Sequence, residues 1–186
     1  MKFNFAKSVF NCGKGLRVSE KLEINGPGTV SFGKNVLVEG GAYGVISMFT
    51  LTSEAHITIG SYNYPNGVRI SCTKRVEIGD FCIIAYSHIN DSDLHSVGPT
   101  RLSPDATVEV DPVVIGENVW ICLGAIILKG IKIGSNSVIA SGSVVTKDVS
   151  QNCVVGGNPA RLLKEFPEKE IKKAEKLLEK LRDARK

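Results

Sequence analysis

Every sixth residue from Ile115 to Val145 is aliphatic: Ile115, Ile121, Ile127, Ile133, Ile139 and Val145. Four places after each stands Val119, Ala125, Ile131, Ser137, Ser143 or Val149, so small or branched side chains prevail there too. A helix repeats every 3.6 residues and an ordinary strand every 2, and neither generates a beat of six. A parallel β-solenoid does, because each short strand turns one aliphatic side chain inward before the chain rounds a corner. Aliphatic–glycine or aromatic–glycine pairs recur at Phe32-Gly33, Ile59-Gly60, Ile78-Gly79, Ile115-Gly116 and Ile133-Gly134. Spacings of 18 and 19 residues between neighbouring pairs make three hexads one coil. Glycine is expected at these corners for its backbone freedom.

The remaining composition suits such a body. Apolar residues make up 42% of the 186 residues but aromatics only 6%, as befits a narrow Val/Ile core. A net charge of +4 without a basic face interleaved with aromatics argues against a nucleic-acid binder. Cys12, Cys72, Cys82, Cys122 and Cys153 are odd in number, widely spaced and never in a C-x-x-C pair, so a disulfide framework or zinc ribbon is not expected. The first residues carry no apolar leader, and no stretch has the length of a membrane span. A cytoplasmic protein without stable membrane insertion is the expectation.

Three regions follow. Residues 1–30 read as irregular N-terminal coils that cap the stack, because an open end presents unpaired strand edges. Residues 31–166 form the body, interrupted where the beat lapses after Ile84 and returns at Ile115. About 96–112, with Pro99, Pro104 and Pro112, is expected as a loop extruded from a corner, a usual place for function. Residues 167–186 read as an amphipathic helix opened by Pro167, with Ile171, Ala174, Leu177, Leu178 and Leu181 as its apolar stripe. That stripe is to be buried against its own solenoid or a neighbouring subunit.

The runs Pro112–Ile121, Gly124–Gly130, Ser143–Val149 and Val154–Arg161 resemble, in order, the motifs of the hexapeptide-repeat acetyltransferases, most nearly the sugar and polysaccharide O-acetyltransferases. The resemblance covers about residues 59–166. It implies an all-β fold, a left-handed parallel β-helix, assembled as a homotrimer with acetyl-CoA as donor, a saccharide acceptor and active sites between subunits. His95 matches the family's catalytic histidine. Neutral imidazole suits removal of a hydroxyl proton near pH 7, with Asp93, or less favourably Asp91, orienting the ring. A backbone N–H within Cys122–Gly124 would stabilise the oxyanion. Trp120, Gly124, Ala125, Ser141, Gly142 and Thr146 are expected along the donor groove, and Lys147, Arg161 and Lys164 at the CoA phosphates. Asn66 and Asp91 are assigned to the acceptor, with Asn63 an alternative to Asn66. Cys122 and Ala140 stand where glycine is common in the family.

Blander readings compete. His56 and His88 fit wall or surface positions better than catalysis. Trp120 serves equally as an interface aromatic, and Lys147 and Arg161 as solvated charges. The second functional reading is a zinc enzyme like the γ-class carbonic anhydrases, since three histidines shared between subunits can hold zinc. The Thr146-Lys147-Asp148 and Gly157–Arg161 motifs favour CoA instead, so no metal is expected. An N-acetyltransferase acting on an amino sugar, or a silent binding solenoid, completes the set.

Overall fold

The computed structural model describes residues 4–6, 8–40 and 45–184, and over them the chain winds into a three-faced β-solenoid of about seven coils. Face one stacks β1 (Asn4–Ala6), β4 (Lys21–Asn25), β7 (Val45–Thr50), β10 (Arg69–Cys72), β13 (His88–Asn90), β16 (Ile126–Ile127) and β19 (Val144–Val145). Face two stacks β2 (Val9–Cys12), β5 (Thr29–Phe32), β8 (His56–Ile59), β11 (Arg75–Ile78), β14 (Val113–Ile115) and β17 (Lys132–Ile133). Face three runs through β3 (Arg17–Val18), β6 (Leu37–Val38), β9 (Tyr64–Asn66), β12 (Ile83–Ala85), β15 (Trp120–Ile121), β18 (Val138–Ile139) and β20 (Cys153–Gly156). All of these pair in parallel; β21 (Arg161–Glu165) alone among the described strands folds back antiparallel, on β20. The first coils do not differ in kind from the rest. β2 pairs β5 and β3 pairs β6 in parallel, so the described part of residues 1–30 begins the stack instead of capping it irregularly.

The six-residue beat is the inner wall. Ile115, Ile121, Ile127, Ile133, Ile139 and Val145 are all buried, as are Val119, Ala125, Ile131, Ser137, Ser143 and Val149. Each aliphatic side chain so removed from water contributes about 1.5–3 kcal/mol before chain entropy is counted.

The corner glycines serve a purpose other than the one expected. Gly33, Gly60, Gly79 and Gly116 have ordinary negative-side φ values; what they supply is closeness. A Cβ on Gly79 would lie 2.8 Å from the Gly116 carbonyl carbon, and one on Gly60 would lie 2.7 Å from the Gly79 carbonyl carbon. The left-handed residue comes just after, at Asn35, Tyr62, Phe81, Asn118, Asn136 and Asn152, one per coil. Asparagine tolerates that region, and here it also bonds along the stack. Asn118 Nδ2 donates to Asn136 Oδ1 and Asn136 Nδ2 to Asn152 Oδ1, both at 2.9 Å. Where aromatics replace it, the Tyr62 and Phe81 rings stack with centroids 4.8 Å apart.

The extruded loop leaves the corner between faces one and two, after β13 and before β14. Its stems are joined by an antiparallel bridge between Ser92 and Val110, while Leu102 at its tip is 96% exposed. The C-terminal helix, α1 (Glu168–Asp183), lies on its own solenoid. Leu178 is buried, Ile171, Ala174 and Leu181 are half-buried, and Leu177 turns outward against expectation. Arg182 pairs with Glu117 and sits 5.4 Å over the Phe81 ring, which fixes the far end of the helix to the left-handed corner. Gly79→Ala is expected to lower the unfolding free energy by about 1–3 kcal/mol. Gly98→Ala, whose Cβ meets nothing nearer than 3.7 Å, should stay within about 0.5 kcal/mol of the parent; urea titration followed by circular dichroism reads both.

Candidate active site

His95 stands exposed at the root of the extruded loop, and its ring has no hydrogen-bond partner among the described residues. The residue before it, Leu94, is in the left-handed region at φ 62°. A branched aliphatic residue there is strained, and such strain gathers where a side chain must be aimed. The carboxylates expected beside the ring are occupied elsewhere. Asp93 is held by Lys129, whose Nζ lies 3.0 Å from both of its oxygens and 3.1 Å from Glu109 Oε2. Hydrogen bonds to Asp93 and then Glu109 push the Lys129 ammonium pKa up. Asp93 therefore does not orient His95 directly.

Asp91 is not an acceptor ligand or a second orienting group. It is fully buried and accepts the backbone N–H groups of Thr73, Lys74 and Arg75, each at 2.7 Å. A carboxylate inside the solenoid is tolerable only with its lone pairs filled, and these three donors fill them. Asn63 is likewise structural: buried, donating to Gly79 O at 2.8 Å and accepting from Cys82 N–H. Asn66 differs. Its Nδ2 reaches Tyr64 Oη at 3.3 Å, while its Oδ1 is buried without a partner among the described residues. Tyr64 Oη in turn bonds Glu39. Next to Asn66, Gly67 joins Glu23, Ser47, Arg69, Tyr86 and His88 around a polar recess of about 510 Å³ on face one. Sequence reading missed this recess because it is a column across four coils, Glu23–Ser47–Arg69–His88, joined by register and not by spacing.

The expected donor residues divide. Gly124, Ser141 and Gly142 lie exposed at the corner between faces three and one. Gly142 has φ 68°, and an added Cβ would meet nothing within 4 Å, so open space abuts the corner there. Ala125 does not belong with them. Its side chain is buried, its N–H donates to Cys122 O at 3.2 Å, and its carbonyl accepts from His88 N–H at 2.9 Å. Within Cys122–Gly124, Cys122 N–H donates to Ile139 O and Gly124 N–H to Tyr86 O. Leu123 N–H is the one of the three without a backbone acceptor among the described residues.

Trp120 is 49% exposed on face three and lines a cavity of about 330 Å³ with Ile83, Val138, Phe166, Ile171 and Ala174, between the solenoid and α1. Lys147 and Arg161 share a cavity of about 290 Å³ at the last coil, with Asp148 and Glu165 on its rim. Lys164 is not part of it and sits 5.4 Å over the Phe166 ring. Thr146 is exposed just past β19. His56 projects from face two and His88 from face one, so the three histidines do not converge within the chain, and no described group of His, Cys, Asp and Glu is placed to hold a metal. All five cysteines are free. Burial raises the thiol pKa values of Cys72 and Cys82 to about 12 and pushes that of Cys122 up.

Known proteins share both the repeat and the winding. Residues 112–147 match the family model described as bacterial transferase hexapeptide (six repeats). The chain is 35% identical over 139 residues to a galactoside O-acetyltransferase of Escherichia coli K12, a match covering 74% of this chain and 64% of that protein. It is 48% identical over 68 residues to a chloramphenicol acetyltransferase of Klebsiella aerogenes, covering 36% of this chain and 32% of that one. The chain thus spans less than two thirds of the length of these curated relatives. Among solved structures, a point mutant of AntD, an N-acyltransferase from Bacillus cereus, in complex with dTDP and coenzyme A, superposes with a TM-score of 0.71 at 22% identity over 91% of each chain. Residues 112–147 thus carry a hexapeptide transferase repeat, set in a three-faced parallel winding that a known acyltransferase structure shares.

Proposed function

We propose that this chain moves the acetyl group of acetyl-CoA to a saccharide hydroxyl, with His95 as general base and with each site assembled between two copies of a homotrimer. The observation that carries the reading is an imidazole without a hydrogen-bond partner among the described residues, next to a strained Leu94, where a long loop leaves the solenoid. The relatives that bear acetyltransferase names, and the hexapeptide repeat itself, support it.

The chemistry needs little else. His95 takes the hydroxyl proton as the oxygen attacks the thioester carbonyl. The carbon–sulfur bond then breaks, and the imidazolium returns the proton to the departing thiolate. Leu123 N–H is the available backbone donor for the oxyanion. An acyl intermediate on Cys72 or Cys82 is disfavoured, because burial pushes both thiols up to about 12 and they hold their protons at neutral pH. Exposed Cys12 lies on β2, in the first coil.

The donor groove runs along the corner of Gly124, Ser141 and Gly142, with Lys147 and Arg161 at the phosphates. That corner precedes face one and His95 follows it, so the width of the face separates them in a single chain. A second copy closes the gap, which is why the trimer enters the proposal. The recess beside Asn66, with Glu23, Ser47 and Arg69, offers several donors and acceptors, as a polyhydroxylated acceptor requires. A cell-surface polysaccharide or its cytoplasmic precursor fits that chemistry. No described helix is long and apolar enough to cross a membrane.

His95→Ala is expected to reduce turnover at least about 100-fold with its circular dichroism unchanged. Thiol release from acetyl-CoA, screened over oligosaccharides, nucleotide sugars and amino sugars, measures it, and near-normal kcat on the best acceptor would refute the mechanism. Iodoacetamide at pH 8 should alkylate Cys12 in the folded protein and spare Cys72 and Cys82, of which only about one in ten thousand is thiolate. Peptide mass spectrometry before and after unfolding checks this.

A further inference from the structure

We propose that Lys129 is a positioning residue for His95, acting through both stems of the extruded loop; this rests on the catalytic reading of His95 above. Lys129 comes from the coil after the loop, at the same corner from which the loop departs. Its ammonium grips Asp93 on the outgoing stem, 3.0 Å from each oxygen, and Glu109 on the returning stem at 3.1 Å. The Lys129 and Asp93 side chains are only 25% and 22% exposed, so this contact is shielded in a way most surface ion pairs are not. Backbone bonds close the same neck. Asp93 N–H donates to Glu109 O at 3.2 Å, and Asp111 N–H to Asp91 O at 2.8 Å.

One residue of the neck carries strain. Leu94, between Asp93 and His95, is left-handed at φ 62° and 45% exposed, so it is not locked in the solenoid core. The surroundings must impose the conformation. Asp93, clamped by a cation from the next coil, is the fixed point immediately before that turn. Without the clamp the backbone bonds still join the stems, but the Asp93 side chain is released, Leu94 relaxes to negative φ, and His95 swings away from the direction the turn gives it. Lys129 touches neither reacting group; it sets where the base points.

The test uses the full-length protein and the same thiol-release assay. Lys129→Met, which keeps the stem and removes the charge, is expected to lower kcat about 10–100-fold while KM for acetyl-CoA stays within about twofold. Lys129→Arg, which can still grip both carboxylates, should recover most of the loss. The pair Asp93→Asn with Glu109→Gln removes the clamp from its other side and should reproduce the defect. In a His95→Ala background, Lys129→Met should cost nothing further, since a positioning residue has nothing left to position. A folded Lys129→Met or Asp93→Asn/Glu109→Gln protein with wild-type kcat, alongside an inactive His95→Ala, would overturn this inference and leave the catalytic reading standing. An added loss in the double variant would overturn it too, by showing that Lys129 acts on its own account. An active His95→Ala protein would instead remove the reading beneath it.

Discussion

Contact between coils at the glycine corners sets everything else in this molecule. Three short strands per coil can stack in parallel only if each corner sits directly on the next, and the carbonyls of Gly79 and Gly116 lie where a Cβ would collide. That approach fixes the rise from coil to coil. The inward aliphatics then fall into columns, and the left-handed asparagines into a hydrogen-bonded ladder. A scaffold pinned this way is stiff along its length, and it offers function only its outward faces, its corners and whatever leaves a corner.

The proposed site uses the last of these. A loop leaves between faces one and two, and its neck is tied by a backbone bridge and by Lys129, with a strained Leu94 just before His95. In the proposed arrangement the stiffness of the coils is passed to a single imidazole. The glycine-rich corner proposed for the donor lies on the far side of face one from His95. In the proposed trimer a second copy supplies the other half of the site.

How much of this could be read from the residues depended on whether the deciding contact was local. The core was legible because a strict period of six leaves few alternatives, and the loop because three prolines and a lapse in the beat mark it. Ala125 was also legible in principle: it occupies the inward position of the beat, and assigning it to a ligand ignored that register. Asp91 was not. A carboxylate reads as a surface or site residue unless one knows that three N–H groups from a coil 16–18 residues earlier converge on it. Lys129 was hidden for the same reason, since its partners lie 36 and 20 positions upstream. In a solenoid, neighbours in space are one coil apart in sequence, and pattern alone does not pair them.

The most direct test of the central claim is complementation between two inactive chains, His95→Ala and Ser141→Trp, the latter blocking the proposed donor corner. Refolded together at equal amounts into mixed trimers, each pair joining an intact His95 to an intact corner restores one site. The account predicts about a quarter of wild-type turnover for random assembly. A mixture no more active than the sum of its two inactive parents would contradict it.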